Sequence, residues 1–260
     1  TTKDSWLTHP AFTFGDDELN GIWVGKFELT GDTNNPTIKP NVESLRKQNV
    51  STLFATTQKL SSNSSMLKNS EWGAISYLTT SIYGQGLTEV RINNSSTFIT
   101  GCAASVENGA SYNGCENKYN TTIGYLASTT GNISGIYDMS GGAWEYVMGV
   151  MEDSLNSNTP SSGYSTQYNS GFSGKNLDDG TTTTGVAFPE SKYYDIYKYG
   201  TNRKDYTRYH LGDATTETKG WNGDYTSFVY SSDPWFLRGG YSGDGADAGV
   251  FAFRSEYGYA

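Results

Sequence analysis

The sequence has little of what metal centres, reactive thiols and nucleic-acid sites are built from: its 260 residues include only two cysteines, two histidines and 18 lysines and arginines. So few thiols and imidazoles leave few candidates for metal or thiol chemistry. No run of about 18 apolar residues occurs, so no segment is predicted to span a membrane or insert directly into one. The formal charge of −9 excludes nucleic acid and anionic lipid as expected partners, because an acidic surface gains nothing from counterion release.

Glycine (31 residues) and tyrosine (20 residues) are abundant, and serine, threonine and asparagine fill much of the remainder. An aromatic content of 14% is too high for a disordered chain, and a charged content of 17% is too low for a coiled coil. A chain of this length can bury a large core, so we predict a single domain over residues 1–260. The low charge and the Ser/Thr/Asn-rich composition favour an extracellular location, on a bacterial cell surface or a phage virion.

Cys102 and Cys115 flank a turn-rich segment, residues 103–114. In an oxidising compartment they would close a short loop, worth about 3 kcal/mol in the chain-entropy model, and we predict this disulfide. Two separate buried thiols are the alternative. No histidine or basic cluster lies nearby in sequence to lower a thiol pKa, so neither cysteine is predicted to be a nucleophile.

Hydrophobic periodicity predicts an α+β protein with short strands, two main helices and long loop insertions. Residues 22–29 alternate as in a strand. A first helix is predicted after Asn41, through Leu53 and Phe54, and a second over residues 66–83, ending at Gly84. Short strands are predicted in the C-terminal part, at residues 235–238 and 249–253. A loop insertion is predicted within residues 150–208, because residues 155–184 carry few apolar anchors.

Motifs for cofactors are weak. Residues 243–248 fit G-x-G-x-x-A formally, but a strand-like segment follows where a dinucleotide site needs a helix. The pairs Asp16-Asp17 and Asp178-Asp179 could ligate calcium with loop carbonyls, although solvated turn residues are the simpler alternative. No cofactor is therefore predicted, and a structural calcium ion is compatible with the sequence but not indicated by it.

Tryptophan and tyrosine side chains can stack on sugars, but they also fill cores. Trp23, Trp72 and Trp144 lie inside apolar patterns, so core packing is the predicted role for these three.

Several segments share their order and spacing with one family. The sequence D-M-S-G-G-A-W-E-Y at residues 138–146 resembles the D-M-x-G-N-x-W-E-W signature of the formylglycine-generating-enzyme-like branch of the C-type lectin fold. Residues 21–28 resemble its N-terminal strand, residues 68–74 its core helix, and residues 235–240 its R-G-G strand. The resemblance covers residues 15–30, 66–101, 127–149 and 209–260, and it implies a C-type lectin-like α+β fold.

The residues for chemistry in this family are missing here. Residues 238–260 lack the reactive cysteine pair of the sulfatase-activating enzymes, and two distant histidines cannot form the cluster of the iron-dependent relatives. Neither E-P-N nor Q-P-D, the calcium motifs of sugar-binding lectins, occurs, and W-N-G-D at residues 221–224 interrupts W-N-D. The resemblance therefore implies a protein that is not an enzyme.

The C-terminal segment, residues 238–260, resembles the variable region of proteins diversified by retroelements, which present it on one face of a lectin-like fold. The fixed frame would be R-G-G, A-G-V-F-A-F and G-x-A. Between these blocks, adenine changes in an AAC codon reach Tyr, Gly, Asp, Arg and Ser, whereas Glu256 needs a different template codon. An ordinary glycine-rich hairpin is the alternative. The predicted variable positions are Tyr241, Ser242, Gly243, Asp244, Asp247, Arg254, Ser255, Glu256, Tyr257 and Tyr259.

These residue types suit a binding surface, since tyrosine offers a large amphipathic contact area with few torsions to freeze. The resemblance implies that the face binds a protein or other macromolecular ligand on a cell or phage surface. A carbohydrate-binding module, or a structural surface, tail or pilus module with a fixed partner, is the alternative. Trp144, Glu145 and Arg238 are the predicted scaffold, with Arg238 donating charge-assisted hydrogen bonds to Glu145 or to loop carbonyls.

Overall fold

The computed structural model describes residues 7–152, 170–175, 182–198, 211–229 and 234–256. Within these residues the fold is mixed, with two α-helices, one four-stranded sheet and several two-stranded sheets. The helices are α1 (Val50–Thr57) and α2 (Asn69–Thr79). The strands are β1 (Thr13–Phe14), β2 (Asp17–Glu18), β3 (Thr30–Gly31), β4 (Pro36–Thr37), β5 (Cys102–Ala103), β6 (Asn117–Lys118), β7 (Glu145–Glu152), β8 (Gly174–Lys175), β9 (Thr182–Thr183), β10 (Asp195–Lys198), β11 (Trp235–Gly239) and β12 (Gly249–Glu256).

The four-stranded sheet has the order β10-β7-β11-β12. β10 runs parallel to β7, and the other two pairings are antiparallel. All five residues of β11 are buried, which is why W-F-L-R-G has an almost continuous apolar pattern instead of an alternating one. The predicted strands at residues 235–238 and 249–253 are thus confirmed.

The sheet is covered on both faces. On one face, α2 packs Trp72 and Ile75 against Phe236, Phe251 and other apolar side chains of the sheet. On the other face, α1 and the segments at 172 and 186–194 pack against the sheet. The buried members of that second cluster are Val50, Phe54, Met66, Tyr146, Met148, Val150, Phe172, Trp235 and Leu237. A rigid sheet between two apolar layers therefore supports the loops at its edges.

The first predicted helix forms, but it begins at Val50 and not after Asn41. Asn41 and Lys47 have φ of 61° and 59°, so the chain between them cannot continue a right-handed helix. The helix starts where Asn49 provides a cap, its side-chain oxygen accepting a 2.9 Å hydrogen bond from the backbone N–H of Thr52.

The second predicted helix also forms, but it is shorter than residues 66–83. At its start the backbone N–H of Lys68 donates to the Glu71 carboxylate at 2.7 Å. The helix ends at Thr79, and Ile82 is exposed. Gly84 lies in the turn after the helix. The position requires glycine, because a Cβ there would collide with the carbonyl oxygen of Thr79.

The N-terminal segment differs from its prediction. Residues 22–29 form no strand, although they alternate, because no neighbouring segment hydrogen-bonds to them as a ladder. Trp23 is fully exposed and is therefore not a core residue, and Trp144 is half-buried. Among the three tryptophans predicted for the core, Trp72 alone is completely buried.

The predicted insertion at residues 150–208 is only partly described. Its described parts are not all surface loop, since Phe172 and Tyr197 are buried and β10 is a strand of the main sheet. These residues belong to the sheet and the core, which the scarcity of apolar anchors between residues 155 and 184 does not indicate. Most of residues 155–184 lie outside the described residues.

Cys102 and Cys115 form the predicted disulfide, with their Cα atoms 5.4 Å apart. The bond joins β5 to the chain just before β6, and the two strands pair antiparallel. In the part of the chain that the structure describes, neither helix is long and apolar enough to cross a membrane.

Candidate binding face

The candidate site is built on the hairpin of β11 and β12 and on their connecting loop, residues 240–248. The two strands pair from Trp235–Glu256 to Arg238–Phe253, and the register shifts between Arg238 and Gly239. Gly240 has a φ of 84°, and a Cβ there would lie 2.6 Å from the Cβ of Ala248. The second glycine of R-G-G is therefore required by both backbone conformation and space.

The loop is held by backbone hydrogen bonds to its surroundings. The N–H of Ser242 donates to the carbonyl of Gly142 at 2.9 Å, which ties the loop to the D-M-S-G-G-A-W-E-Y segment. The N–H of Tyr241 donates to the Asp244 carboxylate at 2.9 Å, closing a turn within the loop. The loop thus has a defined path on which exposed side chains are displayed.

Beneath the loop, residues 248–253, which comprise the first part of β12 and the residue before it, are buried. The carbonyl of Val250 accepts hydrogen bonds from Trp72 Nε1 at 2.9 Å and from Ser76 Oγ at 2.8 Å, so α2 fixes the strand. The buried frame comprises Ala248, Val250, Phe251, Ala252 and Phe253, each 3% exposed or less. These residues coincide with the predicted A-G-V-F-A-F block.

Asp224 supports the same strand from the other side. Its carboxylate accepts a 2.9 Å hydrogen bond from the N–H of Phe251 and occupies the space that a Cβ on Gly249 would need. Burial raises the pKa of Asp224 to about 7, and the Phe251 N–H opposes the shift. The last residue of W-N-G-D is therefore part of the frame.

The predicted variable positions divide into two groups. Tyr241 is 42% exposed, Gly243 and Asp247 are exposed, and Asp244 and Arg254 are half-buried at the surface. Ser242 and Ser255 are 2% and 8% exposed, so the prediction that they belong to the exposed variable set is wrong. The side chain of Glu256, and all of Tyr257 and Tyr259, lie outside the described residues.

Two aromatic side chains complete this surface. Tyr225, 45% exposed, belongs to a segment that runs beside β12, and its N–H donates to the carbonyl of Asp247 at 2.9 Å. Trp144 precedes β7. We define the binding face as Trp144, Tyr225, Tyr241, Gly243, Asp244, Asp247 and Arg254.

The binding face contains a small niche of about 210 Å³, lined by Trp144, Tyr225, Asp244, Asp247 and Arg254. The guanidinium carbon of Arg254 lies 5.2 Å from the Trp144 ring centroid and 6.0 Å from that of Tyr225. Partial burial raises the pKa of Asp244, while the Tyr241 N–H and the Arg254 charge oppose the shift. The niche thus combines flat aromatic surface with charges of both signs.

Sequence reasoning missed Tyr225 and assigned Trp144 to the core. Tyr225 lies in no recognisable motif, and only its hydrogen bonding along β12 brings it to the face. Trp144 sits in an apolar pattern, but it comes one residue before β7, where the chain has not yet entered the sheet.

Arg238 is fully buried, as a scaffold role requires. Its Nη2 donates to the carbonyl of Ala214 at 3.0 Å, and its guanidinium lies 5.8 Å from the Trp72 ring and 5.7 Å from the Phe253 ring. Burial lowers its pKa to about 10. Of the two predicted hydrogen-bond partners of Arg238, Glu145 and a loop carbonyl, the structure shows the loop carbonyl.

Glu145 belongs to a different cluster, formed with Glu28 and Asp138. Asp138 is buried and accepts hydrogen bonds from Asn93 Nδ2 and the Gly101 N–H, both at 2.8 Å. Burial and the Asp138 charge raise the pKa of Glu28 to about 8. Burial, Glu28 and Asp138 raise the pKa of Glu145, and burial raises that of Asp138 to about 6. Three carboxyl groups with raised pKa values therefore meet here.

Across the described ranges, no group of three or more His, Cys, Asp and Glu side chains is arranged to hold a metal ion. Comparison with protein-family models and with curated proteins finds no match for this chain.

Proposed function

We propose that this chain is a non-enzymatic binding protein with a C-type lectin-like fold, displayed outside the cell on a bacterial surface or a virion. Its binding face takes a protein or another macromolecular ligand, and a retroelement diversifies the exposed residues of that face. The resemblance of residues 138–146 and 235–260 to the lectin-like family is the basis for the fold and for the diversification.

One observation carries the proposal: the C-terminal hairpin separates buried frame residues from exposed residues of the types that adenine mutagenesis yields. Tyr241, Gly243, Asp244, Asp247 and Arg254 lie at the surface, whereas every residue from Ala248 to Phe253 is buried. Changes at the first group leave the frame contacts of α2 and Asp224 untouched. A binding surface that must vary without unfolding its protein needs this separation.

The chemistry of the binding face also supports recognition of a macromolecule. Trp144, Tyr225 and Tyr241 offer large, partly exposed aromatic surfaces, and Asp244, Asp247 and Arg254 add charge-dependent contacts. Aromatic anchors next to adaptable polar side chains are common in binding loops of antibodies.

Sequencing of this locus across a population of the source organism tests the proposal. Substitutions should concentrate in codons 241, 243, 244, 247 and 254, at positions where a nearby near-repeat carries adenine. Codons 248–253 of the same hairpin are the matched control and should be constant. If codons 241–259 vary no more than the rest of the gene, the diversified binding face is wrong, and a fixed partner follows instead.

A further inference from the structure

A cavity of about 410 Å³ opens beside the binding face, and its volume is within the range of sites for small organic ligands. Trp144 lines both this cavity and the niche of the binding face, and Tyr241 and the fully exposed Trp23 also line it. The exposed Trp23 ring adds a large aromatic surface at the mouth of the cavity, which a ligand with an apolar body could contact. Apolar walls come from Ile38, Leu53, Leu60, Met66, Leu67 and Phe98.

Two carboxyl groups face the same cavity. Glu28 and Glu145 line it and are half-buried, so a ligand in the cavity reaches both. The buried Asp138 adds a third negative group to the cluster, since its charge acts on both glutamates. One part of the otherwise apolar cavity wall is therefore formed by clustered carboxyl groups.

The basic residues that line this cavity are Arg46 and Lys47, and the Arg46 charge acts on Glu28, where it opposes the effects of burial and Asp138. The Arg46 guanidinium lies 3.9 Å from the Phe98 ring centroid and pairs with Glu43 at 3.8 Å. Lys47 also lines the cavity but is exposed. Within the described residues, the ion pairs involve Glu43 and Glu190, and none involves Glu28 or Glu145. A ligand that brings its own positive charge would therefore complement the wall.

We propose that this cavity binds a small amphipathic amine, with its ammonium group on Glu28 and Glu145 and its aromatic or alkyl body against the apolar wall. A metal ion fits less well, because the carboxyl groups in the described residues are not arranged as metal ligands and the walls are apolar. The inference does not depend on what the binding face recognises.

Protonation gives the site a characteristic pH response. Glu28, with a pKa of about 8, is mostly protonated in mildly acidic solution, and Asp138 and Glu145 are shifted in the same direction. An ammonium group favours the ionised carboxylates, so binding near neutral pH should release protons. Amine affinity should accordingly rise with pH up to about 8.

Isothermal titration calorimetry with 4-phenylbutylamine, 4-phenylbutanol and 4-phenylbutyrate tests the site on the unchanged protein. The three probes share one apolar body and differ in the charge of the head group. The amine should bind about tenfold more tightly than the alcohol at pH near 8, and the carboxylate should bind most weakly. Titration in two buffers of different ionisation enthalpy should show proton release with the amine alone.

Variants locate the interaction. Glu28→Gln and Glu145→Gln should each weaken amine binding about tenfold and change alcohol binding less than about twofold. Glu190→Gln, an exposed glutamate paired with Lys192, is the matched control and should bind like the unchanged protein. Circular dichroism melting verifies that each variant is folded. Equal affinities for amine and alcohol, no binding of either, or unaltered amine binding in both variants would each overturn the proposal.

Discussion

Trp144 lies between the β11–β12 hairpin and the carboxyl cavity. The two regions differ in the partners of their buried charged groups. In the hairpin, polar groups hold the frame: Asp224 accepts from the N–H of Phe251, and Arg238 donates to the carbonyl of Ala214. In the cavity, Glu28 and Glu145 lie beside another carboxyl group without an ion pair between charges of opposite sign. The comparison indicates that the buried polar groups of the hairpin stabilise its frame, whereas the clustered carboxyl groups of the cavity cost stability.

The largest expected effect comes from breaking the hairpin frame at Arg238. Arg238→Ala removes a buried cation, its hydrogen bond to Ala214 and its packing on Trp72 and Phe253, and leaves nearby buried acids uncompensated. We expect a loss of about 3 kcal/mol in the free energy of unfolding, measured by urea denaturation. Asp247→Ala, at an exposed position of the binding face, is the control and should change stability by less than about 0.5 kcal/mol. Equal stability of both variants and the unchanged protein would show that Arg238 has no tethering role.

Two glycine substitutions in the connecting loop distinguish the cost of a steric collision from the cost of backbone strain. Gly240→Ala places a Cβ 2.6 Å from that of Ala248 at a φ of 84°, whereas Gly245, with a φ of 58°, faces open space. We expect Gly240→Ala to cost about 2 kcal/mol and Gly245→Ala about 1 kcal/mol, since only the first adds a collision to the strain. Thermal melting compares the two. Identical shifts would contradict the close packing of the loop on β12.

The carboxyl groups of the cavity should make the free energy of unfolding depend on pH. The pKa of Glu28 rises from its ordinary value of 4.5 to about 8 on folding, so the folded protein binds the proton more tightly than the unfolded chain. Stability is therefore fully present below about pH 4.5 and decreases as pH rises through about 8, by an amount on the order of several kcal/mol for this group.

Glu28→Gln should flatten that decrease, and denaturation curves at several pH values measure it. Glu190→Gln is the control and should leave the pH dependence unchanged, because Glu190 is exposed and paired with Lys192. If the free energy of unfolding depended on pH in the same way in Glu28→Gln and in the unchanged protein, the pKa of Glu28 would not be raised by folding.

The smallest effects on stability should come from the exposed positions of the binding face. Tyr241→Ala and Asp247→Ala remove side chains that lie at the surface, so each should change the free energy of unfolding by less than about 0.5 kcal/mol. Urea denaturation of each single variant is the measurement. A loss above about 1 kcal/mol at either position would place that residue in the frame.

The sequence predicts the parts of the fold that local patterns determine. The strands around Trp235 and Phe251 are apolar runs bounded by glycines, and the second helix carries Trp72 and Ile75 on one buried face. The disulfide followed from the composition and the short spacing. The frame of the binding face could be anticipated because it coincides with the A-G-V-F-A-F block, which the resemblance implies is fixed.

What the sequence could not predict depends on partners that lie far away in the chain. Residues 22–29 alternate like a strand but accept only isolated backbone hydrogen bonds, from Tyr137 to Lys26 and from Leu45 to Leu29, and Trp23 lies at the cavity instead of the core. Tyr225 reaches the binding face only by hydrogen bonding along β12. Glu28 and Glu145 come together through tertiary structure, and no local pattern indicates that two distant acidic residues share one wall.

A saturation scan of residues 238–256, displayed on yeast and sorted for resistance to protease, tests the central claim most directly. The account predicts that positions 241, 243, 247 and 254 accept most amino acids and that position 244 favours side chains that accept a hydrogen bond from the Tyr241 N–H, whereas Arg238, Gly240 and the buried frame accept few. If the exposed positions were as intolerant as the frame, or the frame as tolerant as the exposed positions, the separation on which the binding face rests would be wrong.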